Sequence, residues 1–215
     1  MSRLSTLLAM SVLACPAATT AQSLWLGAKA GLDRAAWTGD FGVPFNPFGT
    51  RTGLTAGATV SLGLKDIVAL QLEALYSEKG AAGPGEFRAS VAYLELPLLV
   101  KVALPPRALN IRPIALAGLA PALEISCGVL AQPAYIPEQP PPPPEQMNCI
   151  SWRTEPRDVG VVLAGGIEVP VGRVNVTAEI RRTTGRRNIA LGYAPLSTYN
   201  NVWSFMIGTA FAVPR

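Results

Sequence analysis

The chain has 215 residues, of which 49% are hydrophobic and only 15% are charged, and its formal net charge is +4. A soluble domain normally has about 25% charged residues, so the composition favours a chain whose outer surface is not built for water. The small positive charge argues against nucleic acid as a partner. Histidine is absent, which excludes a Ser-His-Asp site and histidine-ligated metal sites. We predict no catalytic residues, no cofactor and no metal. Acid/base chemistry by inward carboxylates among Glu73, Glu95 and Glu168 is the alternative.

The N-terminal residues have the features of a signal peptide. Arg3 supplies a positive start, residues 4–14 form a short apolar core, and small residues precede a cleavage site. The apolar core is too short to cross a bilayer as a helix, which needs about 20 residues. Lipoprotein processing at Cys15 is an alternative. The expected organisation is a signal peptide over residues 1–21 and one β-barrel domain over residues 22–215.

Eight segments alternate apolar with small or polar residues. The clearest is Gly53 to Leu64, where every second residue is apolar. A period of two separates the two faces of a strand and cannot form one face of a helix. The predicted strands are 23–33, 53–64, 67–78, 90–103, 110–125, 158–169, 174–182 and 201–213. The fifth is the least clear because both of its faces are apolar, and Pro97 predicts an irregularity in the fourth.

The connections between these strands alternate between short and long. The short ones are 65–66, 105–109 and 170–173, and the long ones are 34–52, 79–89, 126–157 and 183–200. Bacterial outer-membrane barrels have short periplasmic turns, long outer loops and aromatic residues at both interfaces. Tyr76, Trp203 and Phe205 suit the outer interface, and Phe211 suits the periplasmic one. We predict an all-β fold, an eight-stranded antiparallel up-and-down transmembrane β-barrel in contact with lipid of the cell outer membrane.

The face opposite the apolar one carries charged residues. They form a predicted lumen polar network of Lys29, Glu73, Glu95, Lys101, Glu168, Glu179 and Arg181. An eight-stranded barrel is just wide enough for side chains to fill it. Opposite charges in so narrow a lumen most simply pair, because a lone buried carboxylate is costly. The sequence therefore predicts a polar plug, with a narrow conducting channel as an alternative.

Three arginines lie at the end of the seventh predicted strand and just after it. Arg182, Arg186 and Arg187 precede or enter the last long connection, at the height of lipopolysaccharide phosphates. Guanidinium groups match phosphate geometry well. This predicts a lipopolysaccharide contact, and a solvated basic loop is the alternative.

The remaining two cysteines flank the longest connection. Cys127 and Cys149 are left after signal cleavage, and an even pair in an exported protein predicts a disulfide. Two unpaired thiols are the alternative. The enclosed run Pro140 to Pro144 should be stiff and extended. Because loops on rigid scaffolds often carry binding, the loop over residues 126–157 is the predicted contact for an unidentified protein partner.

Two longer motifs carry a family resemblance. Glu73 to Ala81 and Tyr93 to Lys101 resemble the PorT-type outer-membrane β-barrel family, and shorter matches at Arg112-Pro113, Asp158 to Gly160 and Gly165 to Glu168 extend the resemblance. The resemblance implies a single outer-membrane barrel without a known catalytic site. One namesake branch of that family is associated with secretion of proteases, a role that the resemblance does not extend to this chain.

The expected function is a non-enzymatic, envelope-structural or surface-interaction role. The rival class is a soluble periplasmic lipid-binding barrel of lipocalin type. Such a barrel would keep its apolar face inside and its charged face outside, so the orientation of the two faces discriminates between the readings.

Overall fold

The computed structural model describes residues 23–42, 44–83, 87–106, 110–131, 145–148, 155–189 and 197–214. The predicted signal peptide therefore lies outside the described residues. The strands are β1 (Leu24–Asp40), β2 (Arg51–Lys65), β3 (Val68–Ala82), β4 (Arg88–Glu95), β5 (Leu98–Ala103), β6 (Arg112–Ala131), β7 (Glu145–Asn148), β8 (Arg157–Val171), β9 (Val174–Gly185) and β10 (Ser197–Ala212). Among the described residues, no helix has the length and apolar character needed to cross a membrane.

The sheet closes into a ring of eight antiparallel strand positions. β1 pairs with β2 on one side and with β10 on the other, and the ring continues through β3, β6, β8 and β9. β4 and β5 share one position, because both pair with β3 and with β6. They are separated at Leu96 and Pro97, where proline cannot donate a ladder hydrogen bond. The predicted eight-stranded barrel is confirmed, and so is the irregularity in its fourth strand.

Tight turns join strands at one end of the ring. Asp66 and Ile67 connect β2 to β3, and Gly172 and Arg173 connect β8 to β9. Gly172 has a φ of 63°, a left-handed conformation that glycine adopts without the steric penalty of a Cβ. We call this the short-turn end of the barrel and the opposite one the loop end.

The strands run further toward the loop end than the alternation predicts. β1 continues to Asp40 rather than ending at Asp33, and β6 continues to Ala131 rather than Ile125. β7 lies within the predicted loop 126–157 and pairs with the end of β6. The predicted loop limits were therefore wrong. Beyond the membrane the outward face no longer has to be apolar, so the alternation fades although the ladder hydrogen bonds continue.

Apolar side chains cover the outside of the ring. Leu54, Leu163 and Ile207 are 57%, 62% and 67% exposed. The aromatic positions expected at the interfaces are exposed as well: Tyr76, Trp203, Phe205 and Phe211. Such a surface is stable against lipid hydrocarbon, whereas its exposure to water would cost about 25 cal/mol per Å² of apolar area. The lipocalin-type alternative is wrong, since it requires the apolar face inside.

The interior is chemically divided. The inward side chains of β5, β6 and β8 form an apolar cluster of Leu99, Ala103, Ile114, Leu116, Ala120 and Val162. The inward side chains of β1, β3 and β9 include buried charged residues. This division explains why the fifth predicted strand, which corresponds to β6, is apolar on both faces: one meets lipid and the other packs against its neighbours inside.

Candidate functional site: the interior network and the outer rim

Four charged side chains meet in the middle of the ring, and we call them the central tetrad. Lys29 Nζ lies 2.9 Å from Glu73 Oε1 and 2.6 Å from Glu179 Oε2. Arg181 places Nη1 2.7 Å from Glu73 Oε2 and Nη2 2.8 Å from Glu179 Oε1. All four residues are buried. Two cations and two carboxylates balance, so no net charge is left in the low-dielectric interior.

The tetrad spans the diameter of the barrel. Glu73 is on β3 and Arg181 is on β9, which lie four positions apart in either direction around the ring. The guanidinium nevertheless donates two hydrogen bonds to the carboxylate, at 2.7 and 3.0 Å. Paired donation of this kind fixes both planar groups and is among the stronger hydrogen-bond arrangements.

Neighbouring residues hold the tetrad in place. Gln71 Nε2 donates to Glu73 Oε1 at 2.5 Å, and its own Oε1 accepts from Ser61 Oγ at 3.0 Å. Strand alternation puts Gln71 and Glu73 on the same inward face. Gly208 leaves room for the lysine, because a Cβ there would lie 2.7 Å from Lys29 Cγ.

Two further ion-pair groups lie on either side of the tetrad. At the short-turn end, Glu168 contacts Lys101 and also Arg112, whose Nη1 lies 3.3 Å from Glu168 Oε1. Toward the loop end, Lys79 pairs with Glu95 and sits 5.0 Å from the ring centroid of Tyr93.

All the members of the predicted lumen polar network point into the ring. Lys79 is not among the predicted members, because the third predicted strand stops at Glu78. The alternation of inward residues from Glu73 through Ser77 continues to Lys79. The prediction also lacks Asp33, which accepts a hydrogen bond from Ser77 Oγ at 2.7 Å. Following strand parity past Glu78 would have found Lys79, and parity from Lys29 within the first predicted strand would have found Asp33.

An aromatic cap fills the interior at the loop end. Its rings are Trp37, Phe41, Phe48 and Phe87, with centroids 5.0 to 6.4 Å apart. Trp37 packs in a buried cluster with Ala81, Ala89, Val129 and Ile189. The Asn46 side chain donates to Trp37 O at 2.9 Å and so ties the following segment across the cap. The cap is not predicted from the sequence, because its rings come from segments predicted as loops.

The three arginines of the predicted lipopolysaccharide contact have different surroundings. Arg182 is exposed on the outer wall, and its guanidinium lies 5.5 Å from the ring centroid of Trp203. Arg187 Nη2 lies 2.9 Å from Glu155 Oε1. Arg186 is exposed.

Cys127 is on β6 and faces the interior, where it packs beside the aromatic cap. Cys149 lies outside the described residues. The last described pair of the β6–β7 ladder is Gly128 with Asn148. In the sequence Cys127 directly precedes Gly128, and Cys149 directly follows Asn148.

Comparison with known proteins gives the family. The model of the outer membrane protein beta-barrel domain family matches residues 5–211. The chain belongs to this family. Among curated proteins, no sequence matches the chain.

Solved structures of low sequence identity share this architecture. Neisserial surface protein A aligns with a TM-score of 0.53 and 10% identity, over 90% of this chain and 100% of that one. Outer membrane protein OprG of Pseudomonas aeruginosa aligns with a TM-score of 0.50 and 14% identity, over 90% of this chain and 96% of that one. Outer membrane protein AlkL aligns with a TM-score of 0.50 and 10% identity, over 100% of this chain and 98% of that one. These similarities establish the fold of a small outer-membrane β-barrel.

Proposed function

We propose that this family member is a closed, non-enzymatic barrel with an envelope-structural or surface-interaction role. The observation that carries the proposal is the central tetrad, which bridges opposite walls of the ring. A direct contact of 2.7 Å between Arg181 and Glu73 leaves no space for water between these two groups.

The tetrad works as a polar plug in this proposal. A cavity of about 160 Å³ opens at the short-turn end, and its lining reaches Lys29 and Gln71. The aromatic cap fills the interior at the other end. An ion crossing the barrel would have to break the buried pairs, and losing one partner of such a pair costs about 3–5 kcal/mol.

The loop end is the side on which a surface role would act. The strands extend past the lipid-facing belt there, and long connections follow them. We propose that the segment 126–157 contacts a protein partner and that a Cys127–Cys149 disulfide restrains it. The sequence positions of the two cysteines, one residue before Gly128 and one residue after Asn148 of the last described pair, support this. Extending an antiparallel ladder by one residue would bring Cys127 and Cys149 within disulfide reach.

Two finer assignments belong to the same proposal. Arg182 and Arg186 present exposed guanidinium groups for a lipopolysaccharide contact, and Trp203 beside Arg182 suits the membrane interface. Arg187 would have to leave Glu155 to take part. Within the family, the motifs Glu73 to Ala81 and Tyr93 to Lys101 favour the PorT-type branch.

Conductance in planar lipid bilayers tests the closed lumen. The wild-type protein should give no steady current, whereas Glu73→Ala combined with Arg181→Ala removes both arms of the bridge and should open a measurable one. The matched control is Glu155→Ala with Arg187→Ala, which deletes a more exposed ion pair. A folded wild-type barrel that conducts steadily would disprove the plug.

A further inference from the structure

A second polar site lies on the outer wall of the barrel near the loop end. It is a groove of about 680 Å³, lined by Thr50, Arg51, Thr52, Ala82, Arg88, Ser90, Gly128 and Leu130. We call it the lateral groove. On β4, Arg88 and Ser90 share strand parity with the lipid-facing Leu94, which is 41% exposed. The groove therefore opens sideways, away from the interior network.

The groove has an excess of positive charge. Arg88 is exposed and has no ion-pair partner in the described part of the chain. Arg51 Nη1 donates to Lys79 O at 3.2 Å, and its Nη2 lies 3.8 Å from Glu78 Oε2, too far for a strong hydrogen bond. A third guanidinium lies beside the groove, since Arg34 Nε donates to Thr50 Oγ1 at 3.3 Å.

The groove lies where the outer wall changes from apolar to polar. On β2, Thr52 is the next outward residue from Leu54 in the direction of the loop end. Leu54 is 57% exposed. On β3 the Tyr76 hydroxyl donates to Glu78 Oε1 at 2.9 Å. A tyrosine with an apolar body and a bonded hydroxyl is typical of the membrane–water interface. This level is where lipid head groups meet the barrel.

We propose that the lateral groove binds the phosphate-bearing head group of an outer-leaflet glycolipid. Arginine donates in a planar fork that matches phosphate oxygens, and the hydroxyls of Thr50, Thr52 and Ser90 add partners for phosphate or sugar oxygens. The exposed apolar wall below gives the acyl chains a surface to lie on. That continuity favours an amphiphile over a free anion.

The site is separate from the arginines of the proposed lipopolysaccharide contact. Arg182 is on β9, whereas Arg51 and Arg88 are on β2 and β4. The inference rests on the outer-membrane location and does not depend on a closed lumen, so either proposal can fail without the other.

Native mass spectrometry of the detergent-solubilised barrel with added lipid A tests the groove. The probes are bisphosphorylated lipid A, phosphate-free lipid A and inorganic phosphate. Bisphosphorylated lipid A should bind, and Arg51→Gln with Arg88→Gln should weaken it by roughly tenfold or more, because charge-assisted hydrogen bonds are lost. Phosphate-free lipid A should bind the wild type as weakly as the double variant binds the bisphosphorylated form. Inorganic phosphate should not compete at equal concentration.

Matched variants control for charge and folding. Lys65→Gln with Arg173→Gln removes two exposed positive charges at the short-turn end and should bind as the wild type does. Arg88→Gln alone breaks no hydrogen bond or ion pair within the described residues, so it keeps the test valid if the Arg51 change impairs folding. Unchanged binding in folded groove variants would overturn the proposal. Loss only in Arg182→Gln with Arg186→Gln would do so as well and assign the lipid to the other wall.

Discussion

In the middle of the barrel, charged side chains pair across the ring, whereas at the loop end an aromatic cap fills the same cross-section. The central tetrad is held by hydrogen bonds of 2.6 to 3.0 Å between charged side chains. The cap is held by ring packing between residues such as Trp37 and Phe48, whose centroids are 5.3 Å apart. The stability of the tetrad depends on balanced charges, and the stability of the cap depends on buried apolar area.

The difference follows from the surroundings of each level. At membrane height the outward face must be apolar, so polar residues on the strands are confined to the interior, where they need partners. At the loop end the outward face meets water, and apolar side chains gain by turning inward. The same strands therefore bury charges at one height and rings at another.

The largest expected effect is in the tetrad. Glu73→Gln keeps the shape of the side chain but leaves Lys29 and Arg181 sharing Glu179 alone. We expect the free energy of unfolding to fall by about 3–5 kcal/mol, because a buried charge loses its partner. Urea titration of the barrel in lipid vesicles, followed by the mobility of unboiled samples in electrophoresis, measures this change.

A matched carboxylate gives the control. Glu78→Gln removes a partly exposed group whose nearest contact with Arg51 is 3.8 Å, and such a pair contributes about 0–1 kcal/mol. Equal losses for Glu73→Gln and Glu78→Gln would contradict the view that the middle depends on paired charges.

The aromatic cap should give the second effect. Trp37→Ala removes a ring that is 6% exposed, and we expect a loss of about 3 kcal/mol, near the lower end for buried aromatic truncations. Hydrogen exchange should show the opening concentrated at the loop end of β1 and β10. Phe45→Ala is the control, since Phe45 is 66% exposed in the same region. An equal increase in hydrogen exchange along all the strands would argue against a separate cap.

Loss of the proposed disulfide should have the smallest effect. Replacing Cys127 and Cys149 by serine, or adding reductant, should cost about 2 kcal/mol, the low end for a bond that closes a short segment. Cys127 lies near the loop end of β6, away from the tetrad, so losing the proposed bond should leave the tetrad unaffected. Electrophoresis with and without reductant, and alkylation of thiols before denaturation, provide the readout. Two alkylated cysteines in the oxidised protein would rule the bond out.

Much of the barrel could be read directly from the alternation of residues. Leu54, Leu72 and Ile180 had to face lipid, so the inward positions of Glu73 and Arg181 followed from parity. β6 was harder, because Leu116 and Val162 make an apolar wall inside the ring and erase the contrast between its faces. Lys79 was missed because its strand continues past the level at which the membrane imposes the pattern.

By itself, the sequence determined the number of strands, their outward faces and the alternation of short and long connections. Each of these follows from the local spacing of residues. In a membrane the lipid-facing side chains must be apolar, and every strand edge must be paired because hydrocarbon offers no hydrogen-bond partners. Only the tertiary structure decided that Arg181 reaches Glu73, 108 residues away, that rings from separate segments form one cap, and that Arg51 and Arg88 share a groove. Ring closure and strand register bring these groups together, and neither is encoded in the spacing along a single strand.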